Sequence, residues 1–122
     1  MCTEASHLKE CSGSMRDVYT KLKSTFLSAG GNVVFKPREH SIRVWIGDEV
    51  NIAEIFFRKT KGIIGLECRK LEKNDTDAIL KHHEARRHSE RKLHIEYVIL
   101  SDANHWDEIQ TLIGRLLRRH RA

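Results

Sequence analysis

From Ile42 to Lys70, apolar and polar residues alternate with a period of two, the repeat of a half-buried β-strand. Folded as hairpins, this block places Ile42, Val44, Ile46, Ala53, Ile55, Phe57, Ile64, Leu66 and Cys68 on one side. Arg43, Trp45, Ile52, Glu54, Phe56, Arg58, Gly65, Glu67 and Arg69 fall on the other. The first set is a core face. The second mixes cations, carboxylates and large aromatics, the composition of a contact surface.

The turn Lys59-Thr60-Lys61-Gly62 fixes the register. A four-residue loop there pairs Ile55 with Leu66, Phe57 with Ile64 and Ala53 with Cys68, and sets Glu54 opposite Glu67. A slip of one residue would set Ile55 against Glu67 and mix the faces. In this register Trp45 and Phe56 are expected to be neighbours on the outer face, flanked by Arg43 and Arg58.

Helical periodicity flanks the block. Ser14 offers a cap for a helix carrying Met15, Val18, Tyr19, Leu22, Phe26 and Ala29 on one stripe, and Gly30-Gly31 is expected to stop it as a left-handed cap. Val33 to Lys36 predicts a short strand closed by Pro37, and Gly47-Asp48-Glu49 an acidic turn. After Lys70, Asn74 or Asp75 can cap a short helix through Ala78, Ile79 and Leu80. The run HHEARRHSERK, residues 82–92, is basic, rich in histidine and without clear period, and reads as a loop. Ile95, Tyr97 and Ile99, alternating with His94, Glu96 and Val98, predict a last strand. Caps and acids between Ser101 and Asp107 introduce an amphipathic helix with Ile109, Leu112, Ile113, Leu116 and Leu117 on one stripe; Arg115, Arg118 and Arg119 project from its other side.

Residues 1–13 are polar and aperiodic, and are expected to form a frayed tail ahead of one domain spanning residues 14–122. The predicted class is α+β, in the order α-β-β-β-β-α-β-α. It is an antiparallel sheet of about five strands with N- and C-terminal helices packed mainly on one face.

Composition narrows this little. A chain of 122 residues with 39% hydrophobic and 32% charged residues suits one ordinary globular domain. No apolar run approaches the ~20 residues a membrane helix needs. The start, MCTEASHLKECSG, lacks the pattern of a secretory signal, and no membrane association is expected. Cys2, Cys11 and Cys68 form no metal-ligand spacing and, being three, fit a disulfide framework poorly, so a reducing cytoplasm is the expected compartment.

Charge is more telling. The net charge is +5, yet residues 81–94 carry five cations against Glu84 and Glu90, and residues 115–121 carry four arginines and no acid. The basicity is therefore regional, as on a surface that meets an anion such as nucleic acid. A cationic last helical turn is equally what the helix macrodipole favours.

Few residues promise chemistry. Cross-strand Glu54 and Glu67, with β-carbons ~5 Å apart, could hold a divalent metal in the manner of a degenerate nuclease. The position two residues after Glu67 holds Arg69, a poor base where such a site needs lysine. His82, His83, His88 and His94 lack a rigid i, i+4 ligand spacing, and no metal or cofactor is expected. Cys68 lies on the core face and reads as an inert packed thiol.

The segments VVFKPREHSIRVWIG, NIAEIFFRKTKGIIGLECRK, HIEYVIL and SDANHWDEIQTLIGRLLRRH together resemble an uncharacterised bacterial family, a domain of unknown function. Its members are often labelled predicted transport proteins and also occur as C-terminal modules of larger proteins, some linked to restriction of foreign DNA. The resemblance covers residues from about Val33 onward. It rests on a proline before the second strand, the strand Ile52-Ala53-Glu54-Ile55, a basic hairpin tip and an acid-led final helix. It implies an α+β fold and an accessory binding role, and brings no catalytic residues. Residues 81–92 depart from it, carrying arginines and histidines where the family has a loop with Gly and Trp.

The sequence thus predicts a non-catalytic basic binding module contacting nucleic acid through residues 81–92 and 115–121. Expected binding residues are Arg43, Trp45, Phe56, Arg58, Arg69, Arg86, Arg87, Arg115, Arg118 and Arg119. Aromatic faces beside guanidinium groups suit stacked bases. The alternative is a protein-interaction or homodimerisation module using the Trp45/Phe56 face. The remote alternative is the Glu54/Glu67 nuclease.

Overall fold

The computed structural model describes residues 2–87 and 95–121. In chain order the elements are α1 (Glu4–Leu8), α2 (Gly13–Ala29), β1 (Val33–Pro37), β2 (Ile42–Ile46), β3 (Val50–Arg58), β4 (Ile63–Arg69), α3 (Lys73–Ile79), β5 (Glu84–Arg87), β6 (Ile95–Leu100) and α4 (Trp106–Arg121). The six strands form one antiparallel sheet in the order β1-β2-β3-β4-β6-β5. The α+β class stands, with one more strand than the sequence pattern predicts.

The β3–β4 register is the predicted one: Ala53 faces Cys68, Glu54 faces Glu67, Ile55 faces Leu66 and Phe57 faces Ile64. Between β2 and β3 the ladder slips at Val44/Trp45, so that Val44 pairs with Ala53 but Trp45 with Asn51. The extra residue is Ile52. Instead of lying outside it is fully buried beside Ala53, because a bulge breaks the two-residue alternation.

The core is the inner sheet face against α2 and α4. Met15, Val18, Tyr19, Leu22 and Phe26 of α2 meet Ile109, Leu112, Ile113, Leu116 and Leu117 of α4 over Ile42, Ile55, Leu66 and Val98. Each fully buried aliphatic chain contributes about 1.5–3 kcal/mol. Ala29, placed on the predicted stripe, is exposed at the last turn.

Helix ends differ from the sequence reading in chemical detail. Ser12, not Ser14, caps α2, accepting from the Met15 N–H at 3.1 Å, while Ser14 donates to the Ser101 carbonyl. Gly30 ends α2 in extended backbone (φ −148°), not in the left-handed region. A side chain there would meet Arg121, Val33 and Leu117, so the glycine serves close packing. In α3 the cap is Glu72, and Asp75 accepts from the Glu72 N–H as the third helical residue.

Residues 1–13 are not simply a frayed tail. Thr3 caps α1, and His7 stacks on Phe57 with ring centroids 5.4 Å apart, while its Nε2 lies 2.6 Å from the Arg38 carbonyl. Glu4 accepts from Tyr19 at 2.7 Å and pairs with Lys23 at 2.6 Å. A polar sequence with almost no apolar repeat still docks, because one imidazole and one carboxylate find partners on the core rim.

The predicted loop 82–92 is in part an edge strand: β5 pairs with β6, Glu84 facing Ile99 and Arg86 facing Tyr97. Residues 88–92 of that basic segment lie outside the described residues. Among the described residues no helix is long and apolar enough to cross a membrane.

Candidate functional site

On the outer sheet face the ladder lines up one residue from each strand: Lys36, Arg43, Glu54, Glu67, Tyr97 and Arg86. Two cations are followed by two carboxylates, so the charge changes sign between Arg43 and Glu54. Glu54 accepts from Ser41 Oγ at 2.6 Å and lies 3.5 Å from Arg43 Nε and 4.0 Å from Arg69 Nη2. Arg43 and Arg69 are therefore engaged within the protein rather than held ready for a ligand. Glu67, though on the outer face, is only 3% exposed.

Trp45 and Phe56 are not neighbours, contrary to expectation. Each flanks the Arg43–Glu54 pair, but on opposite sides along the strands, about 13 Å apart at the ~3.3 Å rise per residue. Trp45 belongs to one end, where Lys36 Nζ sits 4.3 Å from its ring and also bonds Asp48 at 2.9 Å. Phe56 belongs to the other, where its ring meets Tyr97 at 6.2 Å between centroids. Gly65, which pairs with Phe56, makes that contact possible: a Cβ there would lie 1.8 Å from Tyr97 Oη. The tyrosine ring lies directly over the glycine backbone.

Around Phe56 and Tyr97 opens a cleft of about 700 Å³, lined by His40, Arg58, Lys59, Lys61, Arg86 and, on its floor, Glu67. Arg86 is paired with Glu84 at 2.9 Å. Arg58, Lys59 and Lys61, at the exposed β3–β4 turn, make no ion pair among the described residues. Gly62, at φ +66°, lets that turn close. The cleft thus joins an aromatic pair to a cluster of exposed cations.

The predicted basic end of α4 divides. Asp75 Oδ1 accepts from Arg115 Nη1 and from Arg119 Nη2, both at 2.8 Å, and Asp75 is 3% exposed. Burial raises the Asp75 carboxyl, but Arg119, the Glu72 N–H and Arg115 outweigh it and hold the group below the usual carboxylate range. Two of the predicted phosphate contacts are thereby structural pins between α3 and α4. Arg118 is exposed. Arg87 ends β5 opposite Glu96.

A second cluster was not foreseen from the sequence. Glu108, buried in the first turn of α4, accepts the N–H groups of Lys81 (2.8 Å) and His82 (3.0 Å) and the Nδ1 positions of His82 (2.6 Å) and His83 (3.1 Å). Burial pushes this carboxyl up, yet the His82 ring, the His82 and Lys81 amides and the His83 ring hold it far below the ordinary range. The His82 ring stacks on His105 at 3.6 Å with planes 5° apart. Spacing gave no signal of this, since Glu108 lies 26 residues from His82; the clue available was an acid opening a helix near unassigned histidines.

No protein-family model, curated protein or solved structure matches this chain.

Proposed function

We propose that this protein is a small, non-catalytic nucleic-acid-binding module that takes an unpaired base in the Phe56–Tyr97 cleft and phosphates on the β3–β4 turn. The observation that carries the reading is the joining of a solvent-reachable aromatic pair to Arg58, Lys59 and Lys61 in one cleft. Bases of any sequence have a face to stack, and a base–aromatic stack is worth about 1–3 kcal/mol. Stacking needs an unpaired base, so a single strand is preferred over a duplex. Arg86 borders the same cleft, and Arg118 lies among the exposed cations remaining at the α4 end. Phosphate contacts of this kind position a strand without reading its sequence. The resemblance to an accessory bacterial domain is in keeping with a binding role.

The nuclease alternative is weakened by what surrounds its carboxylates: Glu54 is held by Ser41, Arg43 and Arg69, leaving a poor place for a metal ion. The dimer alternative loses its single aromatic patch, because Trp45 and Phe56 stand apart.

Fluorescence-anisotropy titration of labelled single-stranded DNA, single-stranded RNA and duplex DNA tests the proposal. Micromolar or tighter single-strand binding that weakens steeply with salt supports it. Absence of binding at low salt, where charge attraction is strongest, contradicts it.

A further inference from the structure

We infer that His82, His105 and Glu108 form a binding site for one borderline divalent cation of the zinc, cobalt or nickel class. A ligand atom from each of the three lies within 4.8 Å of the other two. Two imidazoles and a carboxylate are the donors that suit these ions, at bond lengths of ~2.0–2.2 Å. The set lies beside a cleft of about 450 Å³ lined by His82, His105, Glu84 and Asp102, so an ion can enter and water can complete its shell.

The cluster has the rigid and the movable parts that a site needs. Glu108 is the fixed part: its Oε1 takes both backbone amides and the buried His83 ring, while its Oε2 holds only the His82 ring among the described residues. Oε2 is therefore the oxygen available to a metal, on a side chain that is already oriented. His82 and His105 are the movable part, both solvent-exposed. In the stack their ring planes are parallel and 3.6 Å apart, so both lone pairs cannot aim at one ion until a ring turns. Exposed rings turn at little cost.

Electrostatics favour a cation here in spite of the helix N-terminus, whose dipole opposes one. Glu108 supplies a full negative charge inside the first turn and Asp102 borders the same cleft, while Glu84, also at its edge, is already paired with Arg86. Bound metal would join the approach to β5 to the start of α4. Its predicted consequence is a higher unfolding temperature in the presence of the ion. This site is separate from the Phe56–Tyr97 cleft and does not depend on the nucleic-acid reading.

The test is calorimetric titration of the full chain with Zn²⁺, alongside the visible absorption of the Co²⁺ form. His105→Asn is the informative variant, because residue 105 sits at φ +53° and asparagine tolerates that backbone while lacking the imidazole. The wild type should bind one ion, and His105→Asn should bind it at least ~10-fold more weakly. The variant should also lose the cobalt band while keeping the wild-type circular dichroism. No stoichiometric binding by the wild type, or equal affinity in the variant, would overturn the site.

Discussion

Arg119 Nη2 lies 2.8 Å from Asp75 Oδ1, binding the last turn of α4 to the first turn of α3 across 44 residues of chain. Arg115 shares the same oxygen at 2.8 Å. The basic helix end, which from sequence reads as a nucleic-acid surface, is in part an internal clamp. Asp75→Asn should lower stability by about 1–2 kcal/mol, a figure kept modest because both arginines are a third to a half exposed. Urea denaturation would show it as a shifted midpoint. A variant with unchanged midpoint would mean that the clamp stabilises nothing.

Acid should destabilise the fold in two steps. His120 is half-buried, and burial lowers its pKa, with the Lys70 and Arg69 charges adding to that and its bond to the Arg69 carbonyl opposing it. A histidine kept neutral by the fold binds its proton more readily when unfolded, so its contribution is present above ~6.5 and lost as pH falls below that. Asp75 and Glu108, both lowered, contribute above ~4 and lose that contribution as pH falls through their lower folded values. Melting temperature measured from pH 8 to 3 should fall first near pH 6 and more steeply below 4. In His120→Gln the first step should vanish.

Gly65→Ala probes the binding cleft without touching a charge. A methyl group 1.8 Å from Tyr97 Oη forces the ring off the strand and away from Phe56. Single-strand affinity should drop by about tenfold, the worth of one weak stack. Retention of full affinity would show that Tyr97 takes no part.

Thiol reactivity follows burial. Cys2 is exposed, whereas Cys11 and Cys68 are buried and burial raises both thiols, with the Glu67 and Glu96 carboxylates adding to the effect at Cys68. Ellman's reagent should titrate one cysteine per native chain quickly and all three only after unfolding. Rapid labelling of Cys68 would contradict the packing.

The sheet was legible where alternation was strict. Residues 53–58 and 63–68 hold an apolar residue at every second place, and the register followed from that alone. Ile52 was misplaced because a bulge leaves no mark on composition. Trp45 and Phe56 stand apart for a different reason: in the antiparallel β2–β3 hairpin Trp45 sits beside the turn, opposite Asn51, and Phe56 lies five residues further along β3. β5 was hidden because Glu84-Ala85-Arg86-Arg87 has one apolar residue, as edge strands can when hydrogen bonding to a single neighbour suffices. The site was legible only in kind. Phe56 and Arg58 were placed on the outer face correctly, but the tilted Phe56–Tyr97 ring contact, the Asp75 clamp and the Glu108 cluster join residues too far apart in the chain for spacing to show.

The most direct test of the account compares the salt dependence of single-stranded RNA and DNA binding for three forms of the protein. They are the wild type, Arg58→Ala/Lys61→Ala and Phe56→Ala, each checked by circular dichroism. Removing the two cations should weaken binding and reduce the slope of log affinity against log salt by about 1.4 on a single strand. Removing the ring should weaken binding while leaving the slope unchanged. Wild-type affinity and slope in both variants would contradict the proposal that this cleft holds nucleic acid.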